Sequence, residues 1–302
     1  MRYLKTLYIV SILLSSVITL EAAEYTYENQ KIIDIVEPVT INLNMFKGKV
    51  TVIGNQSGNV IIEAVKIVRA SNSDEAEEVA DHIEVKVSLD GNHIEIATNY
   101  LKMISRSKSF WNKFLGTSGA EAYGSVEYFI SVPPQTSISI AGMETVIEIS
   151  SLEGNIEIKN SSGSFHAEYI FGAVTVSQPI GNIFLDWIEG DIRIKSNSSN
   201  IRIKQVKGAI DLATYSGEVR IETELDTPKD YYIETTSGQI IFSVPSLATG
   251  QLNIETETGK IATEVPVVVK SVSRKKLVGK FGESGPTIHI VSTTGDVDIN
   301  QF

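Results

Sequence analysis

The sequence predicts an all-β fold, a parallel β-helix or solenoid built from nine-residue strand units, because one pattern recurs without insertion from Thr136 to Thr223. The residues two and four positions into each unit are apolar, from Ile138 and Ile140 to Val219 and Ile221, and the residue between them is usually polar. This alternation is typical of a strand with one buried face. The slot before each strand is usually glycine, which allows a turn with positive φ: Gly154, Gly163, Gly172, Gly181, Gly190, Gly208 and Gly217, with Ser199 in the skipped slot.

A longer repeat indicates how many strands form one coil. Two positions before the glycine slot, apolar residues alternate with other residues every eighteen positions. The apolar members are Leu152, Ile170, Ile188 and Val206, and the intervening ones are Ser161, Pro179, Asn197 and Tyr215. An eighteen-residue repeat predicts two strands per coil, with neighbouring coils stacked in parallel ~4.8 Å apart.

Composition excludes several classes of function. The chain has 302 residues, a formal charge of −11 and no cysteine. Nucleic acid is not expected as a partner, because phosphate binding requires a basic face. Disulfides, zinc–thiolate sites, iron–sulfur clusters and thiol nucleophiles are excluded by the lack of cysteine.

The N-terminus predicts export. Arg2 and Lys5 precede an apolar run, Leu7 to Leu20, and Ala22 and Ala23 follow it. This is the layout of a secretory signal peptide, so we expect residues 1–23 to be removed and the protein to act in the periplasm, at the cell surface or outside the cell. The small residue expected three positions before the cut is missing, which leaves an uncleaved anchor as an alternative.

Residues 24–100 are expected to form an N-terminal β region with one helix. Ser73 has the features of an N-cap, and a helix rich in glutamate and alanine is expected from about Asp74 to His82. Alternating apolar residues on either side of Asp90-Gly91 predict a tight hairpin.

Residues 101–124 form a basic aromatic insertion that breaks the pattern. Its candidate contact residues are Lys102, Arg106, Lys108, Phe110, Trp111, Lys113 and Phe114. In an acidic protein such a segment can contact an anionic membrane or a partner protein. The alternative is that its aromatic side chains cover an edge of the solenoid.

Residues 125–302 are expected to form the β-solenoid, continuous with the N-terminal part. Its nine-residue spacing becomes irregular after Gly217, with short insertions before Gly238 and Gly250. A second basic run is predicted to be a solvated loop, and it contains Lys270, Arg274, Lys275, Lys276 and Lys280.

Several parts of the chain together resemble a known family. They are Val132-Pro133 before the array, the repeated Ser-Gly or Glu-Gly before a strand, and the closing segment from Ser292 to Ile299. With the helix-containing N-terminal part, they resemble the DUF4097 family of adhesin-like proteins, related to bacterial head-GIN-domain proteins, over about residues 38–302. The resemblance implies a bacterial β-solenoid at or outside the cell envelope, with no catalytic residues to carry over.

No motif predicts an enzyme or a cofactor. The sequence has no GxSxG, HExxH or Walker motif, and it lacks the GGxGxD repeat of calcium-binding solenoids. The four histidines lie far apart in the sequence, so no metal or other cofactor site is expected. A polysaccharide-acting β-helix enzyme stays an alternative, although no carboxylate pair recurs on adjacent coils.

The outward rows of the solenoid are the place to expect a site. With eighteen residues per coil, His166, Phe184, Arg202 and Arg220 stack on one face. Arg193, Lys195 and Asp211 lie on the other. Two functions are therefore predicted. One is a non-enzymatic envelope protein that binds a cell surface, a glycan or a protein. The other is an envelope-stress sensory or scaffold protein that contacts membrane lipid or a membrane partner through residues 101–124.

Overall fold

The computed structural model describes residues 23–35, 38–56, 58–101, 124–226 and 228–302. The predicted signal peptide and the basic aromatic insertion therefore lie outside the described residues, apart from Ala23, Leu101 and Gly124. Within the described ranges no helix is both long and apolar enough to cross a membrane.

The described residues before the regular array form seven strands and one helix. They are β1 (Ala23–Asp34), β2 (Val39–Asn44), β3 (Lys47–Gly54), β4 (Asn59–Ala70), α1 (Ser73–Asp81), β5 (Ile83–Asp90), β6 (His93–Tyr100) and β7 (Ser125–Val132).

The regular array contains the next eight strands. They are β8 (Thr136–Leu152), β9 (Ile156–Phe171), β10 (Val174–Ser177), β11 (Ile180–Glu189), β12 (Ile192–Lys195), β13 (Ser198–Lys207), β14 (Ile210–Thr214) and β15 (Val219–Asp226).

Eight further strands complete the chain. They are β16 (Tyr231–Thr235), β17 (Ile240–Val244), β18 (Gly250–Thr256), β19 (Ile261–Thr263), β20 (Val268–Ser273), β21 (Lys276–Phe281), β22 (Thr287–Ser292) and β23 (Val297–Gln301).

Each coil consists of two strands joined at a corner, so the solenoid has two walls. The first halves of β8 and β9, then β10, β12, β14 and β16, form the first wall. The second halves of β8 and β9, then β11, β13, β15 and β17, form the second wall. Val174 pairs with Ile192 in the first wall and Ile183 with Ile201 in the second, both in parallel. These pairs are eighteen residues apart, which confirms the β-solenoid with two nine-residue strands per coil.

The core lies between the walls and is built from the alternate apolar positions. Ile156, Val174 and Ile192 are buried in the first wall, and Ile183 and Ile201 in the second. The polar residue between each apolar pair points outward, as Arg193 and Arg202 do. Stacking of neighbouring coils therefore makes one continuous apolar core, which no single coil could bury alone.

Glycine occupies the corner slots for two different reasons. Gly163 adopts φ +121°, as predicted, because the chain turns there. Gly172 does not adopt a positive φ, so the prediction is wrong for this position. Instead, a Cβ atom on Gly172 would overlap the carbonyl oxygen of Gly154 one coil earlier. Close backbone stacking at the corner is the physical reason for glycine there.

The stacking order differs from the sequence order at both ends of the solenoid. At the N-terminal end, β2 and β3 lie between β8 and the coil formed by β6 and β7. At the C-terminal end, β22 and β23 lie between the coil of β16 and β17 and the coil of β18 and β19. The two inserted coils connect segments of the chain that are far apart in sequence.

Antiparallel strands cover most of the open edges. At the N-terminal end, β5 pairs with β6, and β4 pairs with both β7 and β1. At the C-terminal end, β21 pairs with β18 and β20. Covering an edge satisfies backbone groups that would otherwise recruit other strands.

The helix α1 confirms the predicted short helix but not its cap. Asn72, not Ser73, is the N-cap, because its side-chain oxygen accepts a hydrogen bond from the backbone N–H of Glu75 at 2.9 Å. The Ser73 hydroxyl instead lies near the carboxylate of Asp74. Asparagine and serine are equally good caps, so local propensity does not choose between adjacent candidates. The predicted hairpin is also offset by one residue: Asp90 pairs with His93, and Gly91 and Asn92 form the loop.

The basic run at 270–280 is not the solvated loop that was predicted. It forms the antiparallel hairpin of β20 and β21. Leu277 and Phe281 alternate inward and are buried, which holds β21 against β18. The basic side chains of the run are exposed.

Candidate functional site

The predicted outward row exists as an exposed stack on the second wall, and we call His166, Phe184, Arg202 and Arg220 the outer row. Each lies opposite the next on a neighbouring strand, from β9 through β11 and β13 to β15. All four are exposed. They face outward because the residues on either side of each, such as Ile183 and Leu185, are buried in the core. Parallel strand pairing then places them next to one another.

The outer row has an aromatic half, His166 and Phe184, and a guanidinium half, Arg202 and Arg220. The rings of His166 and Phe184 meet edge to face, with centroids 6.5 Å apart. The guanidinium of Arg220 donates to Glu218, with 2.7 Å between Nη2 and Oε1. Arg202 forms no ion pair within the described residues, so its charge is available to a ligand. Phe184, Arg202 and Arg220 line one shallow depression together with Asn182, Asn200 and Glu218.

A pair of exposed aromatic residues lies beside the outer row and was missed in the sequence. Tyr169 and Trp187 are on adjacent coils, their ring centroids are 6.4 Å apart, and about half of each side chain is exposed. Both follow outward residues, Glu168 and Asp186, and both are skipped in the pairing of β9 with β11, which passes directly to Ile170 and Ile188. The sequence signal that could have identified them is their eighteen-residue spacing at a position that is not one of the buried apolar positions.

The backbone at this corner is strained. Tyr169 and Trp187 adopt φ values of 54° and 56°, and Ser151 at the same corner adopts 61°. The left-handed region costs a non-glycine residue about 1–2 kcal/mol. The fold imposes this conformation on several coils, and glycine or asparagine would adopt it at lower cost. The aromatic side chains of Tyr169 and Trp187 are therefore not explained by the needs of the fold.

The first wall carries a different outward row. Arg193 and Asp211 form an exposed ion pair, with 3.2 Å between Nε and Oδ2. Further along the same row, the rings of Tyr232 and His289 stack in parallel, with centroids 4.8 Å apart. Lys195, the other residue predicted on this face, is also exposed.

The ionisable groups whose pKa values are shifted are not poised for proton transfer near pH 7. A hydrogen bond from Lys159 lowers the pKa of Glu157, and one from Lys229 lowers the pKa of Asp191. Burial raises the pKa of Tyr100 and of Tyr231 to about 12 each. These carboxyls stay charged and these phenols stay neutral near pH 7, whereas a general acid or base needs a pKa close to the working pH.

No metal centre is formed by the residues that the structure describes. No group of three or more histidine, aspartate or glutamate side chains within them could hold an ion. Asp191 and Asp296 follow glycines, as calcium ligands do in other nine-residue repeats. Each instead accepts a hydrogen bond from a backbone N–H, that of Ala209 for Asp191 and that of Lys260 for Asp296.

The other predicted contact residues lie outside the described residues. They are Lys102, Arg106, Lys108, Phe110, Trp111, Lys113 and Phe114. The described chain ends at Leu101, after β6, and resumes at Gly124, before β7. The contact of this insertion with a membrane or a partner stays a prediction.

The family of the chain is shown by its sequence. The profile of DUF4097, described as Toastrack, matches residues 40–300. The chain belongs to the Toastrack DUF4097 family. This confirms the resemblance drawn from the order of parts along the sequence. None of the curated proteins matches the chain.

Three solved structures are similar to this Toastrack chain at low identity. A putative cell adhesion protein from Clostridium sporogenes ATCC 15579 has 14% identity and a TM-score of 0.25, with coverage of 92% of this chain and 100% of the other. A putative adhesin from Bacteroides fragilis NCTC 9343 has 12% identity and a TM-score of 0.29, with coverage of 91% and 97%. A putative adhesin from Parabacteroides distasonis ATCC 8503 has 9% identity and a TM-score of 0.28, with coverage of 90% and 97%. At these TM-scores no property of those proteins is carried over.

Proposed function

We propose that this Toastrack protein is an exported, non-enzymatic, adhesin-like protein of the bacterial cell envelope that binds a surface glycan along its second wall. Export is inferred from the N-terminal segment of the sequence. The observation that carries the binding role is the exposed aromatic pair Tyr169 and Trp187 beside the outer row. These two side chains occupy strained backbone positions where the fold gains nothing from them.

The chemistry of this surface suits a sugar polymer. Aromatic rings offer flat apolar faces to the C–H groups of a pyranose, and they lose little conformational entropy on binding. Asp186 is adjacent to Trp187 in the sequence, and Arg202 and Asn200 lie further along the same wall, where they pair with Phe184 and Asn182. These side chains offer acceptors and donors for hydroxyl groups. Neighbouring coils repeat at the ~4.8 Å spacing of strands, so the surface extends in one direction as a polymer does.

The non-enzymatic part of the proposal is supported by the charge states on the solenoid. The carboxyls of Glu157 and Asp191 have lowered pKa values, because lysines hold them ionised. Glycoside hydrolysis requires one carboxyl that stays protonated near pH 7, as well as a second one at a matched distance. Ion-paired carboxylates of this kind are suited to a stable surface.

A glycan array with the purified full chain tests the proposal. We expect retention on a subset of bacterial surface glycans. Trp187→Ser should reduce that retention about tenfold or more, since an aromatic side chain that becomes buried on binding is typical of a binding hot spot. Tyr215→Ser is the matched control, because Tyr215 is also an exposed aromatic residue, at a different corner between β14 and β15.

Three results would overturn the proposal. The first is equal loss of retention for the two variants, and the second is no retention of the wild-type chain on any glycan. The third is release of shortened oligosaccharides from a retained glycan, which would show an enzyme.

A further inference from the structure

A basic cleft lies at the C-terminal end of the first wall, away from the outer row. The hairpin of β20 and β21 extends the sheet beyond β18, and a cleft of about 560 Å³ lies on its outer surface. Its lining includes Gln251, Asn253, Lys270, Lys276, Lys280 and His289. The cleft forms because β21 brings its lysines alongside the outward amides of β18.

The charge of this cleft is opposite to that of the whole protein. The chain has a net charge of −11, yet residues 265–282 contain five basic residues and no acidic one. Lys276 is neutralised by an ion pair with Glu255. Lys270 and Lys280 form no ion pair within the described part of the chain, and both are exposed. Two uncompensated ammonium groups therefore face the cleft.

Neutral polar groups complete the floor. Gln251 lies opposite Lys280, and Asn253 lies opposite His289 on the neighbouring strand. The side-chain nitrogens of Asn253 and His289 are 3.3 Å apart, which fixes the ring of His289 where it stacks on Tyr232. Asp230 is the acidic group nearest to His289, at 3.9 Å, and its other oxygen accepts the backbone N–H of Thr287 at 2.8 Å.

The sides of the cleft are partly apolar. Val268 and Val269 line it from β20 and are 66% and 49% exposed. Lysine, amide and aliphatic groups together match a ligand that carries negative charges, hydroxyl groups and apolar C–H faces. An acidic polysaccharide has all three.

We propose that this cleft binds an acidic polysaccharide, with Lys270 and Lys280 contacting its carboxylate or sulfate groups and Gln251 and Asn253 its hydroxyl groups. A flat membrane surface would not reach the floor of a concave site, so an anionic bilayer is the disfavoured source of negative charge. The site is on the opposite wall from Tyr169 and Trp187, and it does not depend on the function proposed for them.

Binding to polymers of known charge tests this inference. The purified full chain is titrated with polygalacturonate, dextran sulfate and uncharged dextran, and the dissociation constants are measured. We expect binding to at least one of the two polyanions and none to dextran. Lys270→Gln with Lys280→Gln should weaken binding about tenfold or more, because charge-assisted hydrogen bonds are lost.

A matched variant separates a built site from general electrostatics. Arg274→Gln with Lys275→Gln removes the same charge from the same hairpin, at its turn and outside the cleft lining. This variant should bind within about twofold of the wild-type chain, because only long-range, salt-screened attraction is lost. Both variants change exposed residues, so the same thermal unfolding midpoint is expected for both.

Several outcomes would overturn the inference. They are binding of neither polyanion, equal weakening by the two double variants, and equal binding of uncharged dextran. Co-sedimentation with vesicles containing anionic phosphatidylglycerol, lost in the Lys270→Gln, Lys280→Gln variant while polyanion binding is unchanged, would assign the lysines to a membrane instead.

Discussion

Single side chains at the corners connect one coil to the next. Asn155 Oδ1 accepts the backbone N–H of Ala173 at 3.0 Å, and Asp191 Oδ1 accepts that of Ala209 at 3.1 Å. Asn200 does the same for Glu218 at 3.1 Å. Each acceptor directly follows a glycine slot, and each donor lies eighteen residues later. A short polar side chain in this position therefore accepts a hydrogen bond from a backbone N–H that is not paired in the strand ladder.

Asp191 should make stability depend on pH at the acidic end. Its hydrogen bond with Lys229, 2.7 Å long, lowers the pKa of the carboxyl in the folded chain. A lowered folded pKa stabilises the protein above the ordinary carboxyl pKa, and that stabilisation is lost as the pH falls through the folded value. Asp191→Asn should cost about 0.5 kcal/mol at pH 7, since the pair is exposed, and the difference should shrink below about pH 4.

Urea unfolding of the wild-type chain and of the Asp191→Asn variant, at pH 7 and at about pH 3, measures this difference in stability. Asp186→Asn serves as the control, because Asp186 is exposed and makes no ion pair with any described residue. A gap between the wild-type chain and Asp191→Asn that widens in acid would contradict the assignment.

Along each strand, buried and exposed side chains alternate, whereas at the corners some of the buried side chains are polar. Ile183 is fully buried and its neighbour Phe184 is 39% exposed. At the corners, buried amides replace apolar side chains: the Gln178 amide donates to the carbonyl oxygen of Gly163 at 3.2 Å and accepts from Asn160 at 3.3 Å. Buried backbone carbonyls at a turn need donors, and the ladder does not provide them there.

The two sides of a strand should respond differently to truncation. Ile183→Ala should destabilise the protein by about 2–5 kcal/mol, because it leaves a cavity between the walls. Arg193→Ala should change stability by no more than about 0.5 kcal/mol, because its ion pair with Asp211 is exposed. Chemical denaturation of both variants measures the contrast, and equal effects would refute the inward and outward assignment.

At the scale of the whole molecule, the last strands of the sequence lie inside the stack of coils rather than at its end. β22 and β23 lie between two other coils, and Ile288, Ile290, Val297 and Ile299 are fully buried. The last segment of the chain thus joins the regular array to the coil of β18 and β19. Among the described strands β1, by contrast, pairs only with β4, and it is mostly exposed.

Deleting residues 287–302 should therefore abolish cooperative unfolding of the C-terminal coils, because it removes a coil from the interior of the stack. Deleting residues 24–35 is the matched truncation, and it should leave a cooperative transition with a slightly lower midpoint. Circular dichroism during heating compares the two chains. Similar melting curves for both truncations would show that the last strands do not bridge neighbouring coils.

The sequence by itself determined the repeating part of this protein. The eighteen-residue alternation specified two strands per coil, the buried positions, and the stacking of His166, Phe184, Arg202 and Arg220. This was possible because each strand pairs with the same position of the next coil, so a local pattern carries the register. The resemblance to the family came from the order of parts along the chain, of which the repeat is one.

Only the tertiary structure decided how the ends are assembled and where the further sites lie. The insertion of β2–β3 and β22–β23 between other coils depends on pairing between distant segments, which a local period does not encode. The left-handed backbone at Tyr169 and Trp187 interrupts the two-residue alternation of the strand, on which the predicted exposure of side chains was based. The cleft needed β21 to pair with β18, so that Lys270 and Lys280 came to lie beside Gln251 and His289.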